Sequence, residues 1–139
     1  MIVVDTNVVS ESLRPSPNPQ IVRWLNLQEP RNLCTTTITQ AEVLLGIEAL
    51  PPRKRRTSLA AVADRILTEL FVGRILPFSE QAAHLYAKIV VGRRALGRPI
   101  SVPDAMIAAI ARSVHAAVAT RNVKDFEHCA IAIVNPWTG

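Results

Sequence analysis

The chain has 139 residues, the length of one domain spanning 1–139, and its 49% apolar content is enough to fill a core and too high for intrinsic disorder. Its apolar runs are too short to cross a bilayer, and Asp5 and Glu11 interrupt the place of a secretory leader, so a cytoplasmic protein without membrane association is expected. Sixteen Lys and Arg against eleven Asp and Glu give a charge of +5, and thirteen of the cations are Arg; that excess favours anionic partners, nucleic acid first.

In chain order, Ile2-Val3-Val4 is a short β-branched run ending at Asp5, which reads as a strand buried on both faces. Thr6 to Leu13 forms a short helix stopped by Pro15-Ser16-Pro17-Asn18-Pro19, and Ile21, Val22, Trp24, Leu25 and Leu27 mark another. Leu33-Cys34-Thr35 is a second strand, followed by a helix from Thr39 through Ala49 that stops at Pro51-Pro52. Leu59, Val62, Ala63, Ile66, Leu67, Leu70 and Phe71 carry the clearest helical period in the chain. Ile75-Leu76 is a strand ended by Pro77, and Ser79 to Leu96 a helix closed by Gly97. Ser101 opens the next helix; Ala117-Val118-Ala119 and Ile131-Ala132-Ile133-Val134 are the last strands. Strands alternating with helices predict an α/β fold, a three-layer α/β/α sandwich around a mostly parallel sheet. Sites in such folds form beyond the carboxyl ends of the strands.

The acidic residues fall at those ends. Asp5 follows the first strand, and Asp125 follows the Thr120-Arg121-Asn122 turn after a late one. Glu42 and Asp104 each stand three residues after a hydroxyl residue, in Thr39-Gln40-Ala41-Glu42 and Ser101-Val102-Pro103-Asp104. Both tetrads fit a capping box, in which the acid reaches back to a helix's first amide, and Asp5 itself fits an N-cap. Capping does not explain why several acids gather at one sheet edge. Carboxylates brought together repel, and a hard divalent cation held by oxygen ligands, Mg²⁺ or Mn²⁺, relieves that repulsion. No Cys or His joins the set: Cys34 and Cys129 lie far apart and read as buried apolar residues. His84, among apolar residues of a helix, reads as packing. Arg53-Lys54-Arg55-Arg56 and the group Arg93, Arg94 and Arg98 read as charged surface, an RNA track or a contact with an acidic partner.

Ile2-Val3-Val4-Asp5-Thr6-Asn7, Thr39-Gln40-Ala41-Glu42-Val43-Leu44-Leu45-Gly46 and Pro103-Asp104-Ala105-Met106-Ile107-Ala108 resemble, in order, the three acidic motifs of PIN-domain nucleases. Thr120-Arg121-Asn122-Val123-Lys124-Asp125-Phe126 and Asn135-Pro136-Trp137 resemble the end of that domain, and the likeness is greatest to VapC-type toxins of bacterial toxin–antitoxin pairs. The resemblance implies a Mg²⁺-dependent endoribonuclease in which Asp5, Glu42 and Asp104 hold the metal. Asn122 occupies a place often filled by Asp in relatives, and Asp125 is the nearby acid that closes the outer side. Thr6, Asn7 and Thr120 support the first carboxylate or a phosphate. The resemblance also implies a cognate antitoxin that blocks the acidic site, and a homodimer. The apolar faces carrying Ile21, Trp24, Leu25, Ile47 and Leu50 either receive an antitoxin helix or fill the domain's own core.

Two rivals stand beside this reading. Phosphoryl transfer to aspartate, as in receiver or haloacid-dehalogenase-like domains, needs an acidic pair or D-x-D at the first strand; here Thr6 and Asn7 follow Asp5. A non-catalytic RNA-binding domain of the same fold is motivated by the uncharged Asn122.

Overall fold

The computed structural model describes residues 1–138. Five strands, β1 (Ile2–Val4), β2 (Leu33–Thr36), β3 (Ile75–Leu76), β4 (Ala117–Ala119) and β5 (Ile133–Val134), form one sheet in the order β3-β2-β1-β4-β5. Every pairing is parallel; Val3 lies beside Cys34 on one side and Val118 on the other. Seven helices connect them: α1 (Thr6–Ser12), α2 (Pro19–Leu27), α3 (Thr37–Glu48), α4 (Lys54–Arg65), α5 (Glu80–Ala95), α6 (Val102–Ser113) and α7 (Val123–Phe126).

The strand pleat explains why there are two cores. Successive side chains point to opposite faces. Val3, Cys34 and Val118 join Ile89 of α5, Ile107 and Ile110 of α6, and Phe126 of α7. Their neighbours Val4, Leu33 and Ala119 instead join Val8 and Val9 of α1, Ile21 of α2, Val43 and Ile47 of α3, and Ala63 of α4. Both faces are thus covered, and the architecture is the expected three-layer sandwich. No helix among the described residues is long and apolar enough to cross a membrane.

Several local features depart from the sequence reading. The helix over 59–71 is not uniform: α4 ends at Arg65, and a wider π-helical turn over Ile66–Leu70 brings buried Phe71, with half-buried Ile66 and Leu70, onto the second core. The last strand shrinks to Ile133–Val134, because the segment before it bends, with His128 and Ala130 at positive φ. His84 is exposed and does not pack. Ile21 is wholly buried in the domain's own core, which removes it from any surface offered to a partner, whereas Ile47, also in that core, keeps an edge in the groove between α1, α3 and α4. Arg93, read as part of a charged surface, is only 4% exposed. Other signals held: Ser79 caps α5, and Gly97 takes φ +70°, the left-handed conformation that lets its own amide and that of Arg98 close on α5 carbonyls.

Candidate active site

The strand order reverses between β1 and β4: from β1 the chain first builds outward through β2 and β3, then returns to β4 on the other side. A crevice opens at the carboxyl ends of strands at such a switch point. Asp5 leaves β1 there and Thr120 leaves β4, the Asp5 amide donating to the Ala119 carbonyl at 3.1 Å. Each predicted site residue reaches this edge through the element that carries it.

Asp5 is 3% exposed and caps α1, accepting from the Val8 amide at 3.2 Å. The helix-cap reading of this residue holds, and its carboxyl also lies close enough to Asp104 to feel that charge. Burial pushes its carboxyl up to about 6; bonds from the Thr120 hydroxyl and the Val8 and Asn7 amides pull the other way, and the charge of Asp104 adds to the rise. Asp104 sits in the first turn of α6, its amide donating to the Ser101 hydroxyl at 3.3 Å, so Ser101 is the cap that was expected. Its carboxyl is also raised, by burial first, with Asp125 and Glu42 contributing repulsion while Ser101 and Arg93 oppose it.

Glu42 departs from the capping-box reading. The N-cap of α3 is Thr36, whose hydroxyl accepts from the Thr39 amide at 3.0 Å, so the helix begins two residues earlier than Thr39. Freed from capping, Glu42 accepts from the Thr6 hydroxyl at 2.6 Å, and Thr6 Oγ1 also lies 3.3 Å from buried Thr39 Oγ1. The run Thr35-Thr36-Thr37-Ile38-Thr39 offers several hydroxyl caps in sequence; the strand end at Thr36 selects one. Opposite, Asn122 donates from Nδ2 to Asn7 Oδ1 at 3.1 Å, and its amide donates to Thr120 Oγ1, tying the loop after β4 to α1. Asp125 lies in α7 with its side chain exposed on the rim. Sequence reasoning missed Thr36, took Thr39 for the cap of α3, and grouped buried Arg93 with the charged surface.

Four carboxylates thus share one edge, and none has an ion-pair partner among the described residues; the four salt bridges involve Glu11, Glu29, Glu48 and Glu127 instead. As placed, the described residues hold no group of three or more His, Cys, Asp or Glu at metal-binding spacing. The donor chemistry nevertheless fits a hard divalent ion: all oxygen, two carboxyls raised chiefly by burial and further by neighbouring carboxylates, and no salt bridge to any of the four among the described residues.

Parallel strands buried on both faces, with acids at the switch point, define an α/β domain with an acidic crevice. Residues 2–131 match the PIN domain. The chain is 39% identical over 137 residues to "Toxin FitB" of Neisseria gonorrhoeae and 36% identical over 137 residues to "VapC ribonuclease Y4jK" of Sinorhizobium fredii, covering 99% of this chain in each case and 99% and 98% of those proteins. Its fold superposes on FitAB bound to an IR36 DNA fragment with a TM-score of 0.92 at 39% identity, covering 99% of this chain and 96% of that one. The chain belongs to the PIN-domain family, among its VapC-type and FitB-type members.

Proposed function

We propose that this chain is a Mg²⁺- or Mn²⁺-dependent endoribonuclease acting in the cytoplasm, the toxin of a toxin–antitoxin pair, and a homodimer. The observation that carries the reading is the set of four unpaired carboxylates at the switch point, two of them raised by burial and mutual repulsion. Relatives named as a VapC ribonuclease and as the FitB toxin support the same chemistry.

When bound, a divalent ion supplies an activated water and offsets charge on the phosphodiester transition state. Asp5 and Asp104 would hold it directly. Glu42 would bind it or act through a water, oriented by the Thr6 hydroxyl at 2.6 Å. Thr120 steadies Asp5, the Asn7–Asn122 bond fixes the loop beside it, and Asp125 closes the outer side. Burial of Asp5 keeps competing water from its carboxylate, which strengthens its hold on an ion once ionised.

The antitoxin reading has a surface to act on. A groove of about 590 Å³ runs between α1, α3 and α4, lined by Leu13, Pro15, Val43, Ile47, Leu59 and Val62, with Glu42 on its wall. An apolar antitoxin helix fits there, and an Arg or Lys from it would reach the acids in place of metal.

The test is Mn²⁺ titration by calorimetry together with cleavage of total RNA. Wild-type protein should bind Mn²⁺ and cleave RNA, and Asp5→Asn should do neither. Asn122, which adds no charge, favours a second reading: a passive RNA-binding domain. RNA binding without Mn²⁺ uptake or cleavage would establish that alternative. For the partner, the RNase activity of the complex with the product of the adjacent reading frame decides; a complex that cleaves as fast as the free chain rules out site blocking.

A further inference from the structure

Arg93 is the one arginine the fold takes inside, at 4% exposure among the described residues. An uncompensated buried cation is costly, so its hydrogen bonds show what it is for. It makes no direct ion pair with a carboxylate among the described residues, although its charge is felt at Asp104. Its Nε donates to the Arg98 carbonyl at 2.6 Å, and its Nη1 donates to the carbonyls of Asp125 at 3.0 Å and Glu127 at 2.8 Å. Cys129 Sγ lies 3.8 Å from the same nitrogen.

Those carbonyls belong to the end of α7, which has only four residues and no side-chain cap. A helix this short does not hold itself, and its last carbonyls have no partners within it. Three things anchor it: the Phe126 ring, 1% exposed in the first core, the Arg93 guanidinium gripping the backbone on either side of that ring, and the exposed Arg98–Glu127 ion pair at 3.4 Å. Asp125 shares this backbone, and its charge is felt at Asp104.

We infer that Arg93 is a positioning residue of the acidic site: by binding the carbonyls of Asp125 and Glu127, it sets where the Asp125 carboxylate stands relative to Asp104. The inference rests on the nuclease reading of that site. It explains why the position carries Arg: a planar fork reaches Arg98 through one nitrogen and α7 through another, whereas a Lys ammonium is a single point. Arg94 and Arg98, nearby in sequence, remain exposed; Arg98 offers Arg93 its carbonyl and adds a solvent-exposed ion pair to Glu127 at 3.4 Å, but neither side chain reaches the α7 carbonyls.

The test compares Arg93→Lys and Arg93→Gln with wild type, alone and combined with Asp125→Asn. Hydrogen exchange over residues 123–129 reads the position of α7 without reference to activity, and steady-state cleavage of RNA reads kcat and KM separately. Arg93→Lys should retain the wild-type far-UV circular dichroism, exchange faster over 123–129, and lose roughly 10–100-fold in kcat with KM little changed, as when a support of a metal site is removed. In the Asp125→Asn background the same substitution should change kcat by less than about twofold, since both act through one carboxylate. Full additivity, an unchanged kcat, or unchanged exchange over 123–129 would overturn the inference. So would failure of both variants to fold, which would make Arg93 a requirement of the core. Should wild-type protein itself not cleave RNA, the nuclease reading falls, and the exchange data alone decide whether Arg93 holds α7.

Discussion

Replacing Asp5 by Asn separates a helix cap from a charge held for function. The folded carboxyl lies at about 6 against an ordinary value of 3.8, chiefly through burial. Below pH 3.8 both folded and unfolded chains carry it neutral, and burial adds no penalty. Between 3.8 and about 6 the unfolded chain gives up its proton first, so stability falls as pH rises; above 6 the whole penalty is present. A rise from 3.8 to about 6 corresponds to about 3 kcal/mol in metal-free protein. Asn removes the charge yet caps a helix as well as Asp does, so the bond to the Val8 amide survives. Asp5→Asn should therefore be more stable than wild type by about 3 kcal/mol at pH 8 in chelator, equivalent to about 10 °C in Tm for a chain of this length, and by about 1 kcal/mol at pH 4.5. Urea unfolding at the two pH values measures this, and RNA cleavage by the same variant should be lost. A variant less stable than wild type at pH 8, or a gain that does not grow with pH, would refute the reasoning and return Asp5 to a purely structural role.

Glu42→Gln should cost roughly 10–100-fold in RNA cleavage while moving Tm by less than about 2 °C, because Thr36 caps α3. Thr36→Ala should do the opposite, destabilising by about 1 kcal/mol in thermal melts. Mn²⁺ affinity measured by calorimetry should fall as pH drops through about 6, since Asp5 must be ionised to bind; a flat profile from pH 5 to 8 would exclude it as a ligand. Asn122→Asp places a fifth carboxylate beside Asn7, and should tighten Mn²⁺ binding while lowering metal-free Tm through repulsion.

The element order, the two-sided sheet, Asp5 at the end of β1 and Ser101 as the cap of α6 were legible in the sequence, because they follow from local signals. A β-branched run ending in an acid, hydroxyls three residues ahead of acids, and Gly97 after an apolar period each specify backbone over a few residues. What each acid does was not local. The choice among adjacent threonines as the cap of α3 depended on where β2 stopped pairing, and only that choice freed Glu42 to meet Thr6 on another helix, thirty-six positions away. The same holds for Arg93, which sequence alone places with Arg94 and Arg98: one residue's rotation along α5 separates buried Arg93 from exposed Arg94, and Arg98 lies in water beyond the helix end. Local propensity and hydrophobic period are written in neighbouring residues, so the sequence by itself determined the layers and the acids at the strand ends. Burial, repulsion between carboxylates and hydrogen bonds across distant segments exist only once the chain is closed on itself, and so the tertiary structure alone decided which acids cap, which stand unpaired, and which arginine holds α7 in place.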